Sequence, residues 1–173
     1  MKRLILGMFL LACGSGGALA DDPCDGWVWN VKAERALFSQ PAKDVLAAKA
    51  KSDVPSIDVA APYRLTLADQ DKVQFVAGPG KRSLPDGAHG GMVRTRIAHA
   101  GRYRVALDSA AWIDVVVDGQ VVPSQAFNGR AGCDAPHKVV EYDLPAAEAL
   151  IQISASQAGT VRVTVTESPA TAH

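Results

Sequence analysis

GRYRVALDSAAWIDVVVDGQVVPSQAF, residues Gly101 to Phe127, is the stretch whose reading decides the fold class. From Gly101 to Leu107 the apolar Tyr103, Val105 and Leu107 alternate with Arg102, Arg104 and Ala106, the period of two of a strand with one face in a core. Trp112 to Val117 is apolar everywhere except Asp114, as a central strand covered on both faces would be, which makes Asp114 the odd residue. Asp118-Gly119 suits a two-residue turn that needs positive φ, so Val117 should fold back onto Gln120–Val122 as a hairpin. Pro123 lacks a backbone donor and ends that pairing or marks an edge.

Outward from this stretch the same short alternating runs recur. Strands are expected at Tyr63–Leu67, Lys72–Val76, Gly91–Ile97, Lys138–Leu144, Ala149–Ala155 and Thr160–Thr166. Many short strands separated by turns predict an all-β chain, an antiparallel β-sandwich of jelly-roll type. A hairpin through Ala98-His99-Ala100 would set Val93 opposite Val105 and Thr95 opposite Tyr103 on the inner face. Before the sandwich, Asn30 is a candidate N-cap for a short helix carrying Val31, Glu34, Ala36, Leu37 and Phe38 and stopped by Pro41. One or two further helical turns are expected over Lys43–Lys51, and Ser52–Pro62 reads as a linker. Trp27 and Trp29 are read as an anchor laying this segment across the sandwich, with a stacking platform for a sugar or aromatic ligand as the alternative. The expected division is an export signal over 1–20, a helical segment and linker over 21–62, the sandwich over 63–168 and a frayed tail over 169–173.

Lys2 and Arg3, the apolar run Leu4–Ala12 and the small residues Ala18-Leu19-Ala20 have the pattern of an export signal. Leu10-Leu11-Ala12-Cys13-Gly14 offers the other processing route, lipidation at Cys13 as an outer-membrane lipoprotein. Either way the expected location is periplasmic or secreted, with no transmembrane span, because no later run approaches the ~20 apolar residues that one requires. Lys plus Arg and Asp plus Glu number 18 each, and loss of Lys2 and Arg3 with the signal leaves a net charge of −2. That balance argues against nucleic acid as a partner. Outside the signal only Cys24 and Cys133 remain, and in an oxidising compartment such a pair is expected to form a disulfide. The bridge would tie the N-terminus to the loop after the central hairpin.

Two long loops stand out, Ala77–Gly90 and Asn128–Pro136, and long loops on a rigid scaffold often carry function. Gly78-Pro79-Gly80-Lys81-Arg82-Ser83 lacks the spacing of a phosphate-binding loop. In the expected hairpin Arg94 would face Arg104 and Arg96 would face Arg102, like charges that need a negative neighbour. Two readings follow. In one, Val140, Tyr142 and Leu144 point inward and Glu141 and Asp143 neutralise the arginines from the next strand; in the other, the arginines form an anion-binding face. The candidate ligand-binding residues are Lys81, Arg94, Arg96, Arg102, Arg104, Asp114 and His137. His89, His99, His137 and His173 show no H-x-H or H-x-x-x-H spacing, so a metal, iron for instance, would have to be assembled from distant residues such as His89, Asp114 and His137. No nucleophile elbow is present, and Asp114 with His137 is the one candidate acid/base pair.

Trp27-Val28-Trp29-Asn30-Val31, Glu34-Arg35-Ala36-Leu37-Phe38, Gly101-Arg102-Tyr103-Arg104-Val105, Trp112-Ile113-Asp114-Val115-Val116 and Gly132-Cys133-Asp134-Ala135-Pro136-His137-Lys138 resemble a family of small exported proteins of Gram-negative bacteria. Some members of that family carry the name homogentisate 1,2-dioxygenase, which implies a non-haem iron oxidoreductase acting on a small aromatic acid. Gly101-x-Tyr103-x-Val105 with Asp114 and Asp118-Gly119 is also similar to pre-peptidase C-terminal domains, accessory β-sandwiches of secreted bacterial enzymes. The function expected is a non-catalytic binding or accessory module of the cell envelope, without a cofactor, whose partner is a small molecule, a glycan or an envelope protein. Its rivals are the iron dioxygenase and a purely structural envelope protein.

Overall fold

The computed structural model describes residues 22–169. The export signal, Cys13 and most of the expected tail lie outside the described residues. One short helix, α1 (Lys32–Phe38), precedes twelve strands: β1 (Lys43–Leu46), β2 (Ser56–Ile57), β3 (Tyr63–Thr66), β4 (Ala68–Asp69), β5 (His89–Arg96), β6 (Gly101–Leu107), β7 (Trp112–Val117), β8 (Gln120–Val122), β9 (Ser124–Gly129), β10 (Lys138–Leu144), β11 (Glu148–Ser156) and β12 (Thr160–Glu167). They form two packed sheets, in the orders β1-β3-β12-β6-β10-β9 and β2-β5-β11-β7-β8, with β4 added to β5.

Inside this order lies a nested set of antiparallel pairs: β3 with β12, β5 with β11, β6 with β10 and β7 with β8. A long hairpin folded over on itself in this way, with alternate pairs in opposite sheets, is a jelly roll. The two parallel pairings, β1 with β3 and β2 with β5, make both sheets mixed at that edge. Tyr103, Val105 and Leu107 from one sheet and Val93, Ile113, Val115, Ile151 and Ile153 from the other fill one apolar core. The alternation read from the sequence therefore points β5 and β6 correctly. Asp118 and Gly119 take φ of 50° and 78°, the left-handed pair that the tight β7–β8 turn requires.

Four local expectations are corrected. Gly91–Ile97 and Gly101–Leu107 are not a hairpin, since β5 pairs with β11 in one sheet while β6 pairs with β10 and β12 in the other. Val93 and Val105 thus share the core across the sandwich, not side by side. A period of two specifies which face of a strand is apolar, and it is equally satisfied by either arrangement. Lys43–Lys51 is not helical: β1 pairs in parallel with β3, and it places Val45 and Ala47 against the core while Leu46 faces out. Within the supposed linker, Ser56 and Ile57 form β2 and pair in parallel with β5. Lys72–Val76 is not a strand either. It follows a 3-10 turn at Gln70–Lys72 and lies over the outer face of the second sheet. There the Gln152 side chain substitutes for a strand partner, accepting from the Val76 and Ala77 N–H groups at 2.8 and 3.1 Å and donating to the Ala77 carbonyl at 2.9 Å.

The N-terminal segment crosses the outer face of the first sheet. Val31 and Phe38 pack with Ala106 of β6 and Val139 of β10, flanked by Trp27 and Trp29, as the anchor reading expects. Asn30 stands one position before the N-cap, Val31, and its side chain accepts from the Lys32 N–H at 3.2 Å. A disulfide joins Cys24 to Cys133, as expected.

Candidate functional site

The strand ends bring the two long loops together. At the end of the sandwich where β7 and β10 begin and β11 ends, Lys81 and Pro85 of the first loop face Asn128, Gly129, His137 and Lys138 of the second. Between them lies an open cleft of about 610 Å³, floored by Ala110, Ala111 and Trp112 and rimmed by Phe127. A smaller apolar cavity of about 190 Å³ adjoins it, walled by Ile113, Val140 and Tyr142 and sharing Trp112, Phe127 and Lys138 with the cleft.

Asp114 is the foundation of this region. On the outer face of β7 its carboxylate accepts from the Trp112 indole N–H at 3.0 Å and from the Gly80 N–H at 3.0 Å, so one side chain fixes the aromatic floor and the loop that carries Lys81. A Cβ at Gly80 would lie 2.9 Å from an Asp114 oxygen, so a side chain there would push the carboxylate aside. The odd residue of the central strand is therefore satisfied by one donor from the loop and one from its own strand.

Lys138 sits beside that floor. Its ammonium donates to the Ala111 carbonyl at 2.7 Å and lies 5.3 Å from the centre of the Trp112 ring. Burial, and next the charge of Lys81, push its pKa down, with Asp114 opposing them. Among the described residues neither Lys138 nor Lys81 forms an ion pair. The neighbouring Tyr142 hydroxyl donates to the Ile113 carbonyl at 3.0 Å, and burial pushes its pKa up. Phe127 is 74% exposed, an apolar ring with nothing packed over it.

The second loop is held from behind. Cys133 is bridged to Cys24, the Arg130 guanidinium donates to the Pro23 carbonyl at 2.7 Å, and a His137 ring nitrogen lies 3.1 Å from the Cys133 carbonyl. His137 thus lines the cleft with one nitrogen turned toward its own loop.

The seven residues singled out by sequence separate into groups. Lys81, His137 and, beneath them, Asp114 come together at the cleft. The four arginines do not form one face, since β5 and β6 lie in opposite sheets. Arg94 donates to Ser56 Oγ at 3.0 Å and lies 3.7 Å from Glu148, while Arg96 is exposed on the same strand. On β6, Arg102 pairs with Asp143 at 3.0 Å and Arg104 with Glu141 at 3.0 Å, the neutralising strand that the first reading of the arginines describes. Arg104 is further enclosed by Glu34, the Asn30 carbonyl and the Trp29 ring.

Neither chemical constellation is assembled. Asp114 accepts from Trp112 and Gly80, His137 meets the Cys133 carbonyl, and among the described residues no hydrogen bond or ion pair joins Asp114 to His137. His89 lies beside Asp69, at 3.8 Å, and among the described residues no group of three or more His, Cys, Asp or Glu side chains could hold a metal ion. The described residues accordingly do not fit the iron site that the family resemblance implies.

Trp112, Phe127 and Lys138 were not singled out by sequence as ligand contacts. Phe127 did carry a signal, as a lone large apolar residue amid Ser124, Gln125, Asn128 and Gly129. Glu34 also carried one, spaced three after Val31 and four before Phe38 on the helix face that is buried. No family model matches the chain, and no curated protein is significantly similar to it.

Proposed function

We propose that the chain is a non-catalytic binding module, exported to the periplasm or beyond, and that its contact surface is the cleft between the Ala77–Gly90 loop and the β9–β10 strands. The observation that carries the reading is the convergence of Lys81, Trp112, Phe127, His137 and Lys138 on one open cleft of about 610 Å³. A concave, largely apolar site with a few polar groups is the usual form of a ligand pocket. An exposed phenyl ring and an indole held in place by Asp114 lose little freedom when a ligand covers them. The Cys24–Cys133 disulfide supports an oxidising compartment, and among the described residues no helix is long and apolar enough to cross a membrane.

Titration of isotope-labelled protein with a panel of glycans, peptides and small acids tests this directly. Ligands should shift the Trp112 indole N–H signal, and Phe127→Ala should weaken them by about tenfold, the loss of roughly 1.4 kcal/mol of aromatic contact, with Tm unchanged. Binding that shifts signals only elsewhere on the molecule, or that Phe127→Ala leaves intact, removes the cleft from consideration.

A further inference from the structure

We infer that the ligand of this cleft is a monoanionic amphiphile: an aliphatic carboxylate whose head is held by Lys81 and Lys138 and whose tail enters the adjoining cavity. The inference rests on the cleft being the binding surface.

Geometry allows a single molecule to occupy both spaces. The 610 Å³ cleft and the 190 Å³ cavity share Trp112, Phe127 and Lys138, so the cationic end of one is the entrance of the other. The smaller cavity is walled by Ile113, Val140 and the Tyr142 ring, and the Tyr142 hydroxyl is already committed to the Ile113 carbonyl. That leaves Ser124 as its other polar neighbour besides Lys138. A wall of this kind favours hydrocarbon over a sugar, whose hydroxyls would lose water without gaining partners.

Charge settles the other end. Lys81 and Lys138 both line the cleft without an ion-pair partner among the described residues, and the one acid beneath them, Asp114, offsets part of their charge while accepting from the Trp112 and Gly80 N–H groups. Two ammonium groups over one carboxylate leave the cleft with a net positive charge, and a bound monoanion balances it. Lysine acts as a point charge, and no arginine fork lines either cavity, so the pair suits one carboxylate better than a phosphate dianion.

Calorimetric titration of the intact chain with octanoate, octanol, acetate, octyl phosphate and octyltrimethylammonium separates the contributions. Octanoate should bind saturably at one per chain. Octanol and acetate should each bind at least about tenfold more weakly, having lost one half of the contacts, and the cationic amphiphile should not bind. Lys81→Ala disturbs no internal hydrogen bond or ion pair among the described residues; it should weaken octanoate about tenfold and leave octanol unchanged. Ser124→Phe, at an exposed position on the cavity wall, should weaken octanoate without lowering Tm. Octanol binding as tightly as octanoate, or octanoate indifferent to Lys81→Ala, overturns the inference yet leaves an apolar binding cleft in place. Octyl phosphate binding more tightly than octanoate overturns the carboxylate assignment. If no amphiphile binds while a glycan or peptide shifts the Trp112 signal, the inference fails alone; if octanoate binds but only signals remote from Trp112 move, both fail.

Discussion

Arg104 holds a charge that is only 7% exposed, between Glu141 at 3.0 Å and Glu34 at 3.7 Å. The arrangement is satisfied on several sides. Glu141 also accepts from Ser168 at 2.7 Å, Glu34 accepts from Thr166 at 2.8 Å, and the guanidinium stacks on Trp29. Two buried carboxylates meet this cation, and among the described residues it is the only one paired with Glu34, whereas Glu141 also lies 3.5 Å from Arg102. Arg104→Met should therefore lower the unfolding free energy by about 3–5 kcal/mol, the cost of leaving buried charge uncompensated. Arg102→Met, at a half-exposed pair, should cost less than about 1 kcal/mol. Urea denaturation of both variants checks the contrast, and near-equal losses would mean that the Glu34–Arg104–Glu141 cluster is hydrated. From the sequence, Arg102 and Arg104 are indistinguishable, since both face outward on β6. What separates them is the N-terminal segment, which covers one and leaves the other in water.

At the scale of elements, that N-terminal segment is the clearest dependency in the molecule. Helix α1 has seven residues, too few to be stable alone, and its N-cap residue makes no side-chain capping bond. Its docking relies on Val31 and Phe38 against Ala106 and Val139, on Glu34, and on the disulfide at its start. The bridge closes a separation of 109 residues, so the double variant Cys24→Ser/Cys133→Ser should lose about 2–5 kcal/mol. Amide exchange should show the loss first in α1 and in the 130–137 loop. Uniform loss across the sheets, with α1 still protected, would indicate that helix packing and not the bridge holds the segment. Because the same loop carries His137 and leads into Lys138, the bridge also positions one wall of the cleft. The cysteine pairing was legible because two cysteines outside the signal permit one partner each. The helical reading of Lys43–Lys51 failed for want of a comparable constraint: Val45 and Ala47 alternate over too few residues to outweigh the helix-favouring alanines and lysines around them.

Across the whole molecule, the jelly roll joins strands far apart in the chain: β3 pairs with β12, and β5 with β11. The main core is shared by both sheets, and the smaller cluster under the N-terminal segment rests on the first sheet. Unfolding should be a single transition in which far-ultraviolet circular dichroism and tryptophan fluorescence coincide, with refolding on the millisecond-to-second scale typical of such topologies. Separate midpoints in oxidised protein would show that the N-terminal segment unfolds as its own unit. The eight strands of the nested antiparallel set, the inward faces of β5, β6 and β10, the Asp118-Gly119 turn and the cysteine pair follow from the chain alone, because each depends on neighbours within a few residues or on a count of two. Which strands are partners, how the four arginines divide between opposite sheets, and how Lys81, Trp112, Phe127 and Lys138 meet at one cleft were decided only in three dimensions. Local periodicity orients a side chain relative to its own strand, whereas these juxtapositions depend on where the folded-over hairpin lays strands that are distant in sequence.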